Sequence, residues 1–177
     1  MPLDRPFARL TALALTLALA VPAAARERAE VPEALTWNLA DLFATEADWV
    51  RAKDALAARI AALPAFQGHL ADSAEALWRA LDARSAAELG LTRIWVYAES
   101  RSSEDTRAGR PRELKQAAQR LALDLGTAVS WMRPELLAID ESRLRGFVAS
   151  EPRLAPWKVF LEEVLRWKPH TLLAGEE

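Results

Sequence analysis

The chain has 177 residues, 51% hydrophobic and 27% charged, with no cysteine, six glycines and ten prolines. That composition belongs to an ordinary globular domain and excludes disordered, collagen-like and mucin-like chains. A formal net charge of −2 argues against a general nucleic-acid binder, and the lack of cysteine removes disulfides, thiol catalysis, Fe–S clusters and cysteine-ligated zinc.

Residues 1–25 read as a secretory signal and are set aside before the fold is considered. Arg5 and Arg9 make a basic start, Leu10–Val21 is an uncharged apolar run, and Pro22 precedes Ala23-Ala24-Ala25, a small-x-small cleavage site. Twelve residues at ~1.5 Å each reach about 18 Å, well short of the ~30 Å hydrocarbon core, so no stable membrane insertion is expected after cleavage. The expected location is therefore periplasmic or secreted, where a chain without cysteine must be held by packing alone. Residues 26–36, polar and interrupted by Pro32, read as a linker, and residues 37–177 as the helical region.

Apolar spacing in that region predicts helix almost throughout. Thr45 and Asp48 have the spacing of an N-cap and its reciprocal acid, opening a helix that buries Trp49, Leu56, Ile60 and Leu63 and that Pro64 ends. Asp72 or Ser73 caps the next, with Glu75 in its first turn and Leu77, Trp78 and Leu81 inward. A further helical stretch carries Leu89, Ile94, Tyr97 and Ala98. Ile94-Trp95-Val96-Tyr97 has strand character, but no second β-rich run exists to pair with it, so it is read as helix. Gly109–Pro111 breaks the chain, Pro111 suits a first helical position, and Leu114, Ala118, Leu121, Leu125 and Ala128 trace a long amphipathic helix. Pro134 stops or restarts it. Asp140 caps a short helix with Leu144, Phe147 and Val148, and Pro152 starts the last one, with Leu154, Trp157, Leu161, Val164 and Leu165 before Pro169. The expected architecture is an all-α multi-helix bundle.

The search for chemistry returns mostly negatives. No HExxH, GxSxG, GxGxxG or GxxxxGK occurs. His69 and His170 stand alone beside turns and read as cap or surface histidines. The carboxylate neighbours Glu104-Asp105, Glu162-Glu163 and Glu176-Glu177 would diverge by about 100° on a helix, which suits solvated faces rather than acid/base dyads. Arg101–Arg120 carries six basic and three acidic side chains without interleaved aromatics, the pattern of a solvated surface. Among seven tryptophans, Trp49, Trp78 and Trp157 sit on apolar faces; Trp131 and Trp167 flank prolines at helix ends, where a peptide groove is conceivable and a core position is the plainer reading.

The segment Trp37-Asn38-Leu39-Ala40-Asp41-Leu42-Phe43 resembles the opening of the oligoendopeptidase F family of zinc metallopeptidases, relatives of thimet oligopeptidase. The similarity runs on in register. Tyr97-Ala98 with Glu104-Asp105-Thr106 resembles the family's tyrosine-alanine and acid-aspartate-threonine segment. Pro134-Glu135-Leu136-Leu137 resembles its proline-glutamate step. Phe160-Leu161-Glu162, Lys168-Pro169-His170-Thr171-Leu172 and Glu176-Glu177 resemble the stretch before its catalytic domain. Trp157 stands where a tyrosine is common, and Leu173 where a serine would cap the next helix. The resemblance implies an N-terminal helical region that walls a substrate channel for short peptides. It also implies zinc in the full-length enzyme, held by an HExxH and an additional glutamate beyond residue 177. No catalytic, cofactor-binding or metal-binding residue is therefore carried onto this sequence.

Two readings of function follow. In the first, this is the N-terminal part of an exported zinc oligopeptidase, inactive and without tight zinc by itself, meeting short peptides through the absent catalytic domain. In the second, it is a free-standing periplasmic helical binding protein without catalysis. Leu172–Glu177, with two acids after a polar turn, reads as the start of one more helix and favours an incomplete chain.

Overall fold

The computed structural model describes residues 31–104 and 106–171. The expected signal peptide, the first half of the linker, Asp105 and the acidic stretch Leu172–Glu177 lie outside the described residues. The chain divides into two compact units, Met1–Trp37 and Asn38–Glu177. In the first, Glu33–Leu35 form a single 3-10 turn closed by the Leu35 N–H on the Pro32 carbonyl at 2.9 Å.

The second unit opens with a 3-10 turn, Leu39–Asp41, capped by Asn38, whose Oδ1 accepts the Ala40 N–H. Six α-helices follow among the described residues: α1 Glu46–Ala62, α2 Ala74–Glu104, α3 Gly109–Val129, α4 Met132–Ala138, α5 Glu141–Ser150 and α6 Lys158–Trp167. No strand occurs among the described residues, and the fold is all-α. The Thr45–Asp48 box forms as its spacing requires: Thr45 Oγ1 accepts the Asp48 N–H at 3.2 Å, and Asp48 accepts the Thr45 N–H at 3.0 Å. The α-helix stops at Ala62, and Pro64 sits inside a 3-10 turn, Leu63–Phe66, that buries Leu63.

The two helical stretches expected between Ser73 and Glu104 are one helix of 31 residues, which at 1.5 Å per residue spans about 46 Å. That length lets α2 serve two hydrophobic cores. From Ala87 onward, through Ala87, Ile94, Tyr97 and Ala98, it packs with Trp49, Leu56 and Ile60 of α1 and Leu114, Ala118, Leu121 and Leu125 of α3. Its N-terminal half, through Leu77, Ala80 and Leu81, packs with Leu70, Met132, Leu136, Leu144, Leu154, Leu161 and Val164. Leu89 is not inward as expected but 67% exposed. Ala87 lies seven residues, two turns, before Ile94 and takes the buried position, leaving Leu89 on the far side.

Proline positions set the remaining boundaries. Pro111 is third in α3 rather than first, which costs no hydrogen bond because the first four helical N–H groups have no intrahelical partner. Pro134 likewise sits third in α4, so the break falls before it, at Ser130–Trp131. Pro152 opens a 3-10 helix, Pro152–Trp157, instead of the last α-helix. Pro156 has no N–H to return to the carbonyl four residues back, so α-geometry begins only at Lys158.

Candidate functional site

Among the described residues no three His, Asp or Glu side chains gather as a metal would require. His69 lies in an exposed turn, its Nδ1 2.7 Å from Asp72 Oδ2, and His170 is exposed in the closing 3-10 turn Lys168–His170. Glu104 pairs with Arg101 at 2.8 Å and Glu162 with Lys158 at 3.9 Å, and Asp105 lies outside the described residues. In the basic segment, Arg110 bridges Glu46 and Glu113 at 2.6 and 2.8 Å, and Lys115 meets Glu99 at 2.8 Å. With Arg101 on Glu104, at least three of the six cations of that segment are thus paired locally.

The tryptophans sort by depth. Trp49 is 1% exposed, and its indole Nε1 donates to the Ile94 carbonyl at 3.0 Å, tying α1 to α2. Its ring stacks on Tyr97, which in turn takes Phe43 edge-on, with centroids 6.4 and 5.5 Å apart. Trp78, Trp131 and Trp157 are half-buried at the margin of the second core rather than inside it. Trp78 carries the Arg153 guanidinium 3.9 Å above its ring. Trp167 corrects the core expectation: it is 50% exposed.

A residue that sequence reasoning touched only as a motif letter organises one end of the bundle. Glu135, on α4, accepts the Gly68 N–H at 2.8 Å with one carboxylate oxygen and the Leu70 N–H at 2.7 Å with the other. Gly68 has φ +84°, the left-handed conformation glycine adopts without steric cost. No local signal announces this clamp, because its partners lie 67 and 65 positions away.

Two open grooves have apolar floors and charged rims. The larger, about 400 Å³ between α5 and α6, runs over Leu144, Val148, Leu161 and Leu165. Its rim cations are already satisfied, Arg145 by Glu141 at 2.7 Å and Lys158 by Glu162. The smaller, about 180 Å³ between α1 and α2, has Phe43, Leu56 and Ile94 within it and Arg59 and Arg93 as its charged side chains. Gly90 lets the helices approach there: a Cβ at that position would meet Leu56 Cδ1 at 3.3 Å. The signal for this groove is an isolated glycine inside a helical pattern, which sequence reading passed over.

A family model for Oligopeptidase F matches residues 135–177, which run from within α4 through α5, α6 and the closing turn. Oligopeptidase PepF of Bacillus subtilis (strain 168) is 32% identical over 151 residues, covering 85% of this chain and 22% of that protein. A solved chain from Chlamydophila abortus superposes with a TM-score of 0.75 at 25% identity, over 85% of this chain and 25% of that one. The fold is shared also with oligoendopeptidase-F from Enterococcus faecium, TM-score 0.65 at 21% identity over 73% of this chain and 26% of that one. The chain thus spans about a quarter or less of the length of the relatives it matches. The in-register motifs, the helical architecture and these matches assign the chain to the oligoendopeptidase F family, as its N-terminal region.

Proposed function

We propose that this chain is the N-terminal, substrate-channel-forming helical part of an exported metallo-oligopeptidase that hydrolyses short peptides, and that it is inactive by itself. The observation that carries this reading is the reach of the match: a named oligopeptidase aligns along 85% of the chain, whereas the chain spans only 22% of that relative. Zinc is implied by the family resemblance for the complete enzyme, but the described residues offer no fitting ligand set, so no chemical step is assigned to them. Their part is mechanical. A 31-residue helix pinned by two separate cores is a stiff wall, suited to narrowing a cleft so that folded proteins are refused and short unfolded peptides pass. Export rests on the basic, apolar, small-residue order of residues 1–25.

The test begins with the coding DNA beyond Glu177. An in-frame HExxH is expected, with chelator-sensitive turnover of a quenched fluorescent peptide by the longer polypeptide and none by the 177-residue chain. Intact mass of the exported protein should start at Arg26. A stop codon directly after Glu177 with a stable monomeric product, or peptide turnover by the 177-residue chain, would overturn the reading.

A further inference from the structure

We propose that the groove between α1 and α2 is a subsite for the free C-terminal carboxylate of a short peptide whose last side chain is apolar. This deepens the oligopeptide reading above and rests on it for the substrate class, but its test requires no turnover.

Charge complementarity selects the occupant. Arg59 and Arg93 are the two ionised side chains of the groove, and no carboxylate lines it. Arg93 is held in place: its Nη2 donates to the Leu42 carbonyl at 3.0 Å, and its guanidinium lies 5.5 Å from the Phe43 ring centroid. One of its five N–H donors is thereby used and the others remain for a ligand. Arg59 makes no hydrogen bond or ion pair among the described residues, and it is exposed. An ordered guanidinium and a free one lining one cleft without acids suit a carboxylate, which arginine binds by paired N–H···O contacts. A peptide α-carboxyl group, with an ordinary pKa of about 3.3–3.7, is ionised at neutral pH.

Size narrows the occupant further. About 180 Å³ is below the roughly 300–1,000 Å³ typical of whole small-molecule sites and is of the order of one apolar side chain, with Phe43, Ala52 and Ala55 as the accessible apolar lining over the buried Leu56 and Ile94. The competing grooves lack this selectivity. The α5–α6 groove has self-neutralised rims, and the groove between α1 and α3 is lined by Asp124 and no cation.

The experiment uses the 177-residue chain and two probes, N-acetyl-Ala-Ala-Leu and its C-terminal amide, with binding read by calorimetry and by NMR shifts. The free acid should bind at least tenfold tighter than the amide, and the difference should shrink as salt is raised. Arg59→Gln, at an exposed side chain that supports nothing else, should erase most of that preference without changing the unfolding midpoint. N-acetyl-Ala-Glu-Leu-amide tests an internal acid, which should not restore binding. Equal binding of acid and amide, no binding of either, full affinity in Arg59→Gln, or equal affinity for the internal acid would each overturn the proposal. Failure of the parent reading shows instead in the longer polypeptide, as absent chelator-sensitive turnover.

Discussion

Replacing Glu135 by alanine removes both carboxylate oxygens that hold the Gly68–Leu70 turn against α4. Hydrogen bonds to a charged acceptor contribute roughly 1.5–3 kcal/mol each, but the two halves of this clamp are not equal. Gly68 is exposed, so water takes over its N–H and the loss there falls at or below the low end. Leu70 is 0% exposed, and its N–H is left without a partner, at roughly 1–3 kcal/mol. The expected total is about 2–4 kcal/mol. With a urea slope of about 2 kcal/mol per molar, the unfolding midpoint should fall by about 1–2 M at an unchanged slope. Tryptophan fluorescence in a urea titration reads this directly. Glu88→Ala is the control: its (i, i+4) partner Arg84 sits 2.8 Å away on the same helix, and the loss should stay near 0.5 kcal/mol or less. A midpoint shift for Glu135→Ala no larger than that of the control would refute the assignment of Glu135 as the clamp between α4 and the turn before α2.

Four further outcomes are expected. Thr45→Ala should destabilise by about 1 kcal/mol through loss of the capping box on α1, read in the same titration. Trp49→Phe should cost about 2–3 kcal/mol, since it both removes the indole hydrogen bond to the Ile94 carbonyl and leaves space in a site 1% exposed. Gly68→Ala should cost roughly 1 kcal/mol from backbone strain alone, because φ is +84° and nothing lies within 4 Å of the added Cβ. Finally, hydrogen bonds from the Arg153 guanidinium, and then from its backbone N–H, hold the Glu151 carboxyl at about 2, below its ordinary 4.5. A depressed folded-state value stabilises above the unfolded one, so the support from Glu151 should be complete above about pH 5 and fade as pH falls toward 2. The stability gap between the native chain and Glu151→Gln should close over that window, and a gap independent of pH would contradict it.

What could be read from the sequence was whatever a short span encodes. Thr45 and Asp48 are three positions apart, and the box they form is as expected; Asp140 caps α5 through the Ser142 and Arg143 N–H groups for the same reason. Ile94–Tyr97, β-branched and aromatic, is helical because no partner strand exists and because Ile94, Tyr97 and Ala98 share the buried face of α2. Elements whose identity depends on small side chains were harder. Ala80 and Ala87 carry the core contact across the middle of α2, and alanine does not mark a face, so one helix looked like two and Leu89 was placed inward.

The site was least legible because each of its members has an ordinary local explanation. Arg59 is a basic residue in the last turn of α1, Arg93 a charge on a helix surface, and Gly90 a weak spot in a helical run. They share a groove only because α1 and α2 pack closely at Gly90, and that packing is fixed by Trp49, Leu56 and Ile94 buried in the same core. The same holds for Glu135, whose two partners precede it by more than sixty residues. Both features need the three-dimensional fold before any chemistry can be assigned, whereas the family's motifs need only order along the chain. A family can therefore be recognised from a sequence whose binding surface is invisible in it. The same logic says where variation should be tolerated: Arg59 can change without disturbing the fold, because it supports nothing in it, while Gly90 cannot gain a large side chain without displacing Leu56.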